Sequence, residues 1–249
     1  MFFNHIRGGM LTGSEILRQI KKGNISIDPF DPNKVNPNSY NVTLNKRLKV
    51  YSRNDPTDRK NIIPANKIKS ASIITHADEN TNKTIASKVI VYDNVQPAIS
   101  NHIDRYEDIP LIRSNFLDPL DSKKENEYIE FIIPEEGYVL QPSVLYIGST
   151  NEYTCSEKFI PMINGRSSIG RLGISVHVTA GFGDIGFCGT WTLEITAVEP
   201  VRIYPNMEIA QIAFHTPYGK TNMKYNGKYQ WQVEPTTSRM NYDFINNGE

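Results

Sequence analysis

Tyr128-Ile-Glu-Phe-Ile-Ile133, Pro134-Glu-Glu-Gly137, Tyr138-Val-Leu140: a β-like run, a turn and a second run set the reading of this chain. Working outward, Val144–Ile147, Ile174–Val178, Thr190–Thr196, Val201–Ile203 and Ile209–Phe214 continue the pattern, with Tyr204-Pro-Asn206 as a further turn. Seven short runs at roughly 8–12-residue spacing predict a β-sandwich or barrel-like domain.

Upstream, Thr12-Gly-Ser-Glu15 has the form of a capping box and Ile16, Leu17 and Ile20 follow on one helical face. Lys21 and Lys22 close that helix and Gly23-Asn24 caps it, so one N-terminal helix is expected. In Pro37-Asn-Ser-Tyr40-Asn-Val42-Thr-Leu44, alternation predicts a strand with one buried face. Residues 52–126 change texture: rich in Asn, Asp and Lys, with short β-like pieces at Ser72–Thr75 and Val89–Tyr92, they read as an insertion. The organisation expected is an extension over 1–9, a single domain over 10–242 carrying that insertion and an extended arm over 218–242, and a tail over 243–249.

Composition narrows the function classes. Across 249 residues Lys plus Arg (27) balances Asp plus Glu (27), which argues against a phosphate-tracking, nucleic-acid-binding surface. Hydrophobic residues at 39% suffice for a real core. No run approaches the roughly 18 apolar residues of a membrane span, and MFFNHIRGG lacks the features of a signal peptide. Cys155 and Cys188 form no C-x-x-C pair and no disulfide framework, and Cys188 beside Phe187 reads as a packed small residue. The expectation is a soluble, cytoplasmic protein without a membrane or nucleic-acid partner.

Chemistry concentrates between Asn164 and Glu194. In Asn164-Gly-Arg166-Ser167-Ser168-Ile169-Gly170-Arg171, two arginines bracket two serines, offering donor forks and hydroxyls to phosphate oxygens. The turn contains no P-loop signature, and a charged surface turn is its plain alternative. Then comes His177-Val-Thr-Ala180-Gly-Phe-Gly-Asp184-Ile-Gly-Phe-Cys-Gly189, leading into Trp191-Thr192-Leu193-Glu194-Ile195. Alternation puts Glu194 on the face of Thr192 and Thr196, opposite Leu193 and Ile195. It reads either as a half-exposed sheet glutamate or as a partly buried carboxylate with a raised pKa, able to act as general base and then general acid.

These motifs closely resemble the dCTP deaminase family of the dUTPase-like superfamily. Pro37-Asn-Ser-Tyr40, Glu136-Gly-Tyr-Val-Leu140, Pro217-Tyr218-Gly and Lys228-Tyr-Gln-Trp-Gln232 with Pro235-Thr-Thr-Ser238-Arg239 extend the match over roughly 10–51 and 127–242. The resemblance implies a mainly β, distorted jelly-roll or barrel domain, assembled as a homotrimer with sites at subunit interfaces and the arm closing over the nucleotide. It implies hydrolytic deamination of dCTP to dUTP and ammonia, with Mg2+ carried by the triphosphate. Glu194 matches the catalytic glutamate, with Ser167 and Arg171 near the reacting water. Arg166, Ser167, Ser168, Ile169, Gly170 and Arg171 match the triphosphate loop, and Asp184 a contact to the deoxyribose. Ala180 matches the small residue facing the pyrimidine, and Thr192 and Leu193 match the residues flanking the glutamate against the base. Gln211 matches a glutamine that some members use for the base, and Tyr218, Lys228 and Gln232 match tail residues over the nucleotide.

The chain also departs from the family. Gly183-Asp184-Ile185 stands where Ile-Asp-Pro is usual, Trp231 and Glu234 replace glycines, and Thr237 replaces a proline. The long Tyr218-to-Lys228 spacing leaves Tyr225 as an alternative to Tyr218. No H-x-E with P-C-x-x-C occurs, so zinc-hydroxide deamination is not expected and water is activated by protein groups. His177 reads as structural. Two alternatives stay open: a bifunctional enzyme that continues from dUTP to dUMP and pyrophosphate, with Asp184 in the second step, and a non-catalytic nucleotide-binding regulator.

Overall fold

The computed structural model describes residues 8–51, 72–78, 83–89 and 119–245. The chain divides into two compact units, Met1–Tyr51 with Asp121–Glu249, and Ser52–Leu120. In the second unit, β4 (Ser72–Asp78) pairs antiparallel with β5 (Lys83–Val89), from Ser72↔Val89 to Asp78↔Lys83. The expected piece at Val89–Tyr92 falls outside the described residues beyond Val89, as do the first seven residues and the last four.

In the first unit the protein is mainly β, as expected. Its largest sheet takes β10 (Ile174–Ser175), β11 (Cys188–Ala197), β8 (Tyr146–Ser156), β3 (Arg47–Tyr51) and β6 (Tyr128–Ile132) in that order, with β1 (Ile25–Asp28) also paired to β8. A three-stranded sheet runs β2 (Tyr40–Thr43), β13 (Glu208–His215), β9 (Ile160–Gly165), and β7 (Tyr138–Leu140) pairs with β12 (Val201–Ile203). Tyr40, Leu48, Tyr146, Leu193, Ile195, Ile203 and Phe214 are fully buried together in one core. Each such side chain stabilises the fold by about 1.5–3 kcal/mol through burial alone.

Helix α1 (Gly13–Lys21) forms where expected, with Thr12 Oγ1 accepting from Glu15 N–H at 3.4 Å. The reciprocal half of the capping box is absent, because the Glu15 carboxylate is taken by Arg18 Nη2 (2.6 Å) and Gln19 Nε2 (2.5 Å). The hydrogen bonds from Arg18 and then Gln19 hold Glu15 down at about 2. Gly13 admits no side chain: its N–H donates to Pro37 O, and a Cβ would lie 2.2 Å from Asn36 O. One helix was expected; two short ones, α2 (Ser167–Gly170) and α3 (Asn241–Ile245), are added by the loop and the arm.

Other expectations are corrected. β2 is buried on both faces, because its polar side chains also have partners inside: Asn41 meets Glu208 and Thr43 meets Glu152. β8 is the longest strand, although only its apolar beginning was legible; Gly148–Ser156 is polar yet mostly buried. β9 was not anticipated at all. The expected strand Ile174–Val178 stops at Ser175, since beyond it Val178 N–H turns to the Glu194 carboxylate instead of a neighbouring backbone. Cys188 is not simply a packed small residue: it lies opposite Cys155 across β11 and β8, and the two sulfurs are bonded.

Candidate active site

Glu194 sits on β11 between the fully buried Leu193 and Ile195, and alternation turns it toward the half-exposed face with Thr192 and Thr196. Its N–H donates to Val176 O at 2.9 Å. Its Oε2 accepts from Val178 N–H (2.7 Å) and Thr179 N–H (3.4 Å). Among the described residues, Oε1 takes no hydrogen bond, so one carboxylate oxygen is anchored and the other is available.

The Arg166–Arg171 turn is delivered to the same strand edge. α2 runs through Arg171 and Gly173 into β10, which pairs with β11 at Ile174↔Ala197 and Ser175↔Thr196. Ser167, Ser168, Gly170 and Arg171 are exposed, while the Ile169 side chain is in the core. Ile169 therefore offers a ligand only its backbone. Strand alternation buries the Leu193 side chain completely, away from Glu194's face. Arg166 is tied back to β13, with Nη2 2.8 Å from Glu208 Oε2.

The His177–Gly189 segment is laced onto β9, with Ile163 N–H donating to Gly181 O (2.6 Å) and Gly183 N–H to Pro161 O (2.7 Å). Ala180 is exposed with φ +49°, a left-handed conformation uncommon for a residue with a Cβ and concentrated at functional sites. The Asp184 side chain is exposed, and its carbonyl closes a turn by accepting from Phe187 N–H. His177 Nδ1 is buried without a partner among the described residues.

The arm lies along its own β11, in the same direction. Tyr225 N–H donates to Ile185 O, Trp231 N–H to Cys188 O, Thr190 N–H to Gln232 O, and Thr236 N–H to Thr192 Oγ1. Each step along the arm moves toward Glu194, and Thr236 stops beside the residue two before it. Farther out, Ser238 N–H donates to the Tyr51 hydroxyl (2.9 Å) and Glu234 stands 3.5 Å from Arg47. A cavity of about 390 Å³ opens between this stretch of arm and Lys49 and Tyr128.

Tail contacts separate into three kinds. Tyr218 is 88% exposed, whereas Tyr225 packs against Phe187 at 5.8 Å and lies under the arm. Lys228 pairs with Asp243. Gln232 Nε2 donates to Thr190 O while its Oε1 is buried without a partner among the described residues. Trp231, where a glycine is usual, has φ +66° and is 65% exposed, which accounts for glycine being the easier residue there. Gln211 braces the loop, its amide accepting from Ser39 Oγ (2.7 Å) and donating to Gly165 O (3.1 Å).

Fold and site thus define a mainly β enzyme whose strand-borne carboxylate, arginine–serine turn and C-terminal arm converge on one edge. The family model described as dCTP deaminase-like matches residues 10–81 and 68–216, and the chain belongs to that family. It is 40% identical over 235 residues to "dCTP deaminase, dUMP-forming" of Clostridium botulinum (strain Alaska E43 / Type E3), covering 94% of this chain and 98% of that protein. A protein of the same name from Cytophaga hutchinsonii is 37% identical, with the same coverage of both chains. Among solved structures, 2'-deoxycytidine 5'-triphosphate deaminase from Agrobacterium tumefaciens aligns with 16% identity and TM-score 0.47, over 84% of this chain and 48% of that one.

Proposed function

We propose that this chain converts dCTP to dUMP, ammonia and pyrophosphate in two hydrolytic steps. In the first, Glu194 takes a proton from a water that attacks C4 of cytosine, then delivers protons to N3 and to the departing ammonia as the C–N bond breaks. In the second, another water attacks the α-phosphorus of dUTP, the bond to the bridging oxygen breaks, and pyrophosphate leaves, with Asp184 as the carboxylate for that step. Arg166, Ser167, Ser168 and Arg171 hold the phosphates, and Mg2+ enters with the substrate as its triphosphate complex. The reading uses no zinc.

The observation that carries this reading is the shared name of the relatives, dUMP-forming, at 37–40% identity along 98% of their length. On the motifs alone dUTP was the favoured end product; the relatives favour dUMP. The anchoring of Glu194 by one oxygen supports the first step, since a general base needs a fixed carboxylate with an accessible oxygen. A homotrimer with shared sites belongs to the same proposal. Leu172, Val178, Phe182 and Val198 are each more than half exposed around the Glu194 edge, an apolar surface suited to a neighbouring copy.

The test is anion-exchange separation of nucleotides after incubation with dCTP and Mg2+ in the presence of a zinc chelator. The expected products are dUMP and pyrophosphate. Accumulation of dUTP alone would remove the second step, and intact dCTP would overturn the proposal.

A further inference from the structure

We infer that Glu208 is the positioning residue for Arg166, an inference that rests on the triphosphate reading of the Arg166–Arg171 turn. Arg166 is held twice by the same residue: Nη2 lies 2.8 Å from Glu208 Oε2, and Nη1 donates to the Glu208 carbonyl at 3.1 Å. The carboxylate is itself fixed from behind. Asn41 Nδ2 donates to Glu208 Oε2 at 2.9 Å, and Asn36 Nδ2 donates to Asn41 Oδ1 at 2.7 Å. Beside this chain runs the Ser39–Gln211–Gly165 chain, which fixes the backbone one residue ahead of Arg166. β13 and the Pro37–Tyr40 segment thus set both ends of the arginine before any ligand arrives.

The physical consequence is preorganisation. A guanidinium has five N–H donors in a rigid fork, and Glu208 engages only one edge of it, leaving the remaining donors for the turn. An arginine already fixed loses little further freedom when an anion binds. A carboxylate so close to phosphate also repels it. The two effects have opposite signs, and the ordering of variants separates them.

Glu208→Gln keeps a carbonyl acceptor for Arg166 and Asn41 and removes the charge; Glu208→Ala removes the strut. The expected result is a rise of about tenfold in KM for dCTP in Glu208→Ala with kcat within about twofold of the parent, and a KM within about threefold of the parent, or lower, in Glu208→Gln. Calorimetric titration with inorganic tripolyphosphate should give the same order. Glu208→Ala binding as tightly as the parent, or more tightly, would overturn the inference, because Glu208 would then act only as a competitor of phosphate. Equal impairment of both variants would overturn it too. Should Glu208→Ala fail to fold, Asn41→Ala carries the test, with an expected KM rise of about threefold and none if the strut is irrelevant. If the parent leaves dCTP unchanged, the deaminase reading falls, while the tripolyphosphate titration still decides the role of Glu208.

Discussion

Two glutamates on adjacent strands of one sheet have opposite surroundings. Glu152 on β8 is completely buried; its carboxylate accepts from Thr43 N–H (2.8 Å), Thr43 Oγ1 (2.9 Å) and Lys34 Nζ (2.7 Å). Glu194 on β11 is half-exposed and anchored through one oxygen by backbone alone. Glu152 is fully buried with both oxygens engaged, and what it does is join β2, β8 and the turn before β2. Glu194 keeps an oxygen in reserve. What singles out Glu194 as the proposed reactive carboxylate is therefore not burial but unfilled hydrogen-bonding capacity beside an accessible edge.

The sharpest way to break this contrast is to measure activity and stability on both. Glu194→Gln should lower deamination by about 10³-fold, within the range for a general acid–base group, while the melting temperature stays close to that of the parent. An active Glu194→Gln enzyme would end the comparison. Glu152→Ala should do the reverse. It strands Lys34 half-buried, and the loss should be about 3–5 kcal/mol by denaturant titration, with the surviving folded fraction still turning over substrate. A marginal change would mean that the buried pair is dispensable.

A milder probe removes one donor. Thr43→Val deletes the hydroxyl that faces Glu152 while keeping the shape, and should cost about 1–3 kcal/mol. Alkaline pH tests the same region more gently still. Burial pulls the Lys34 ammonium down, but the Glu152 hydrogen bond and charge outweigh it and leave it raised. Burial raises the Tyr40, Tyr138 and Tyr146 phenols. Groups raised in the folded state contribute stability that is complete below their unfolded values and is lost as pH climbs through the folded ones. Thermal stability should therefore fall above about pH 10, and a flat profile there would contradict the assignment.

How much of this was legible follows from what a motif can encode. The Glu194 strand and the Arg166–Arg171 turn were readable because alternation and residue type coincide with their chemistry. The burial of the Ile169 and Leu193 side chains was less legible: a motif also contains the residues that bury it, and the turn's spacing does not say which is which until the core is known. Glu152 and Glu208 left no signal, since their partners Lys34, Thr43, Asn41 and Arg166 come from distant parts of the sequence. The polar half of β8 was missed because several of its hydroxyls are satisfied internally, as where Thr150 Oγ1 accepts from Trp191 N–H and donates to Glu152 O. The bond between Cys155 and Cys188 depends on strand register, which two isolated cysteines do not reveal.

The arm tracks the strand of its own chain, Trp231 to Cys188 and Thr236 to Thr192, so the carboxylate and its cover are inherited together. In cells making two defective versions of this protein, one truncated before Lys228 and one carrying Glu194→Gln, the chain with an intact carboxylate always lacks the strap along its own strand. Those two should stay inactive together, as alleles that fail to complement.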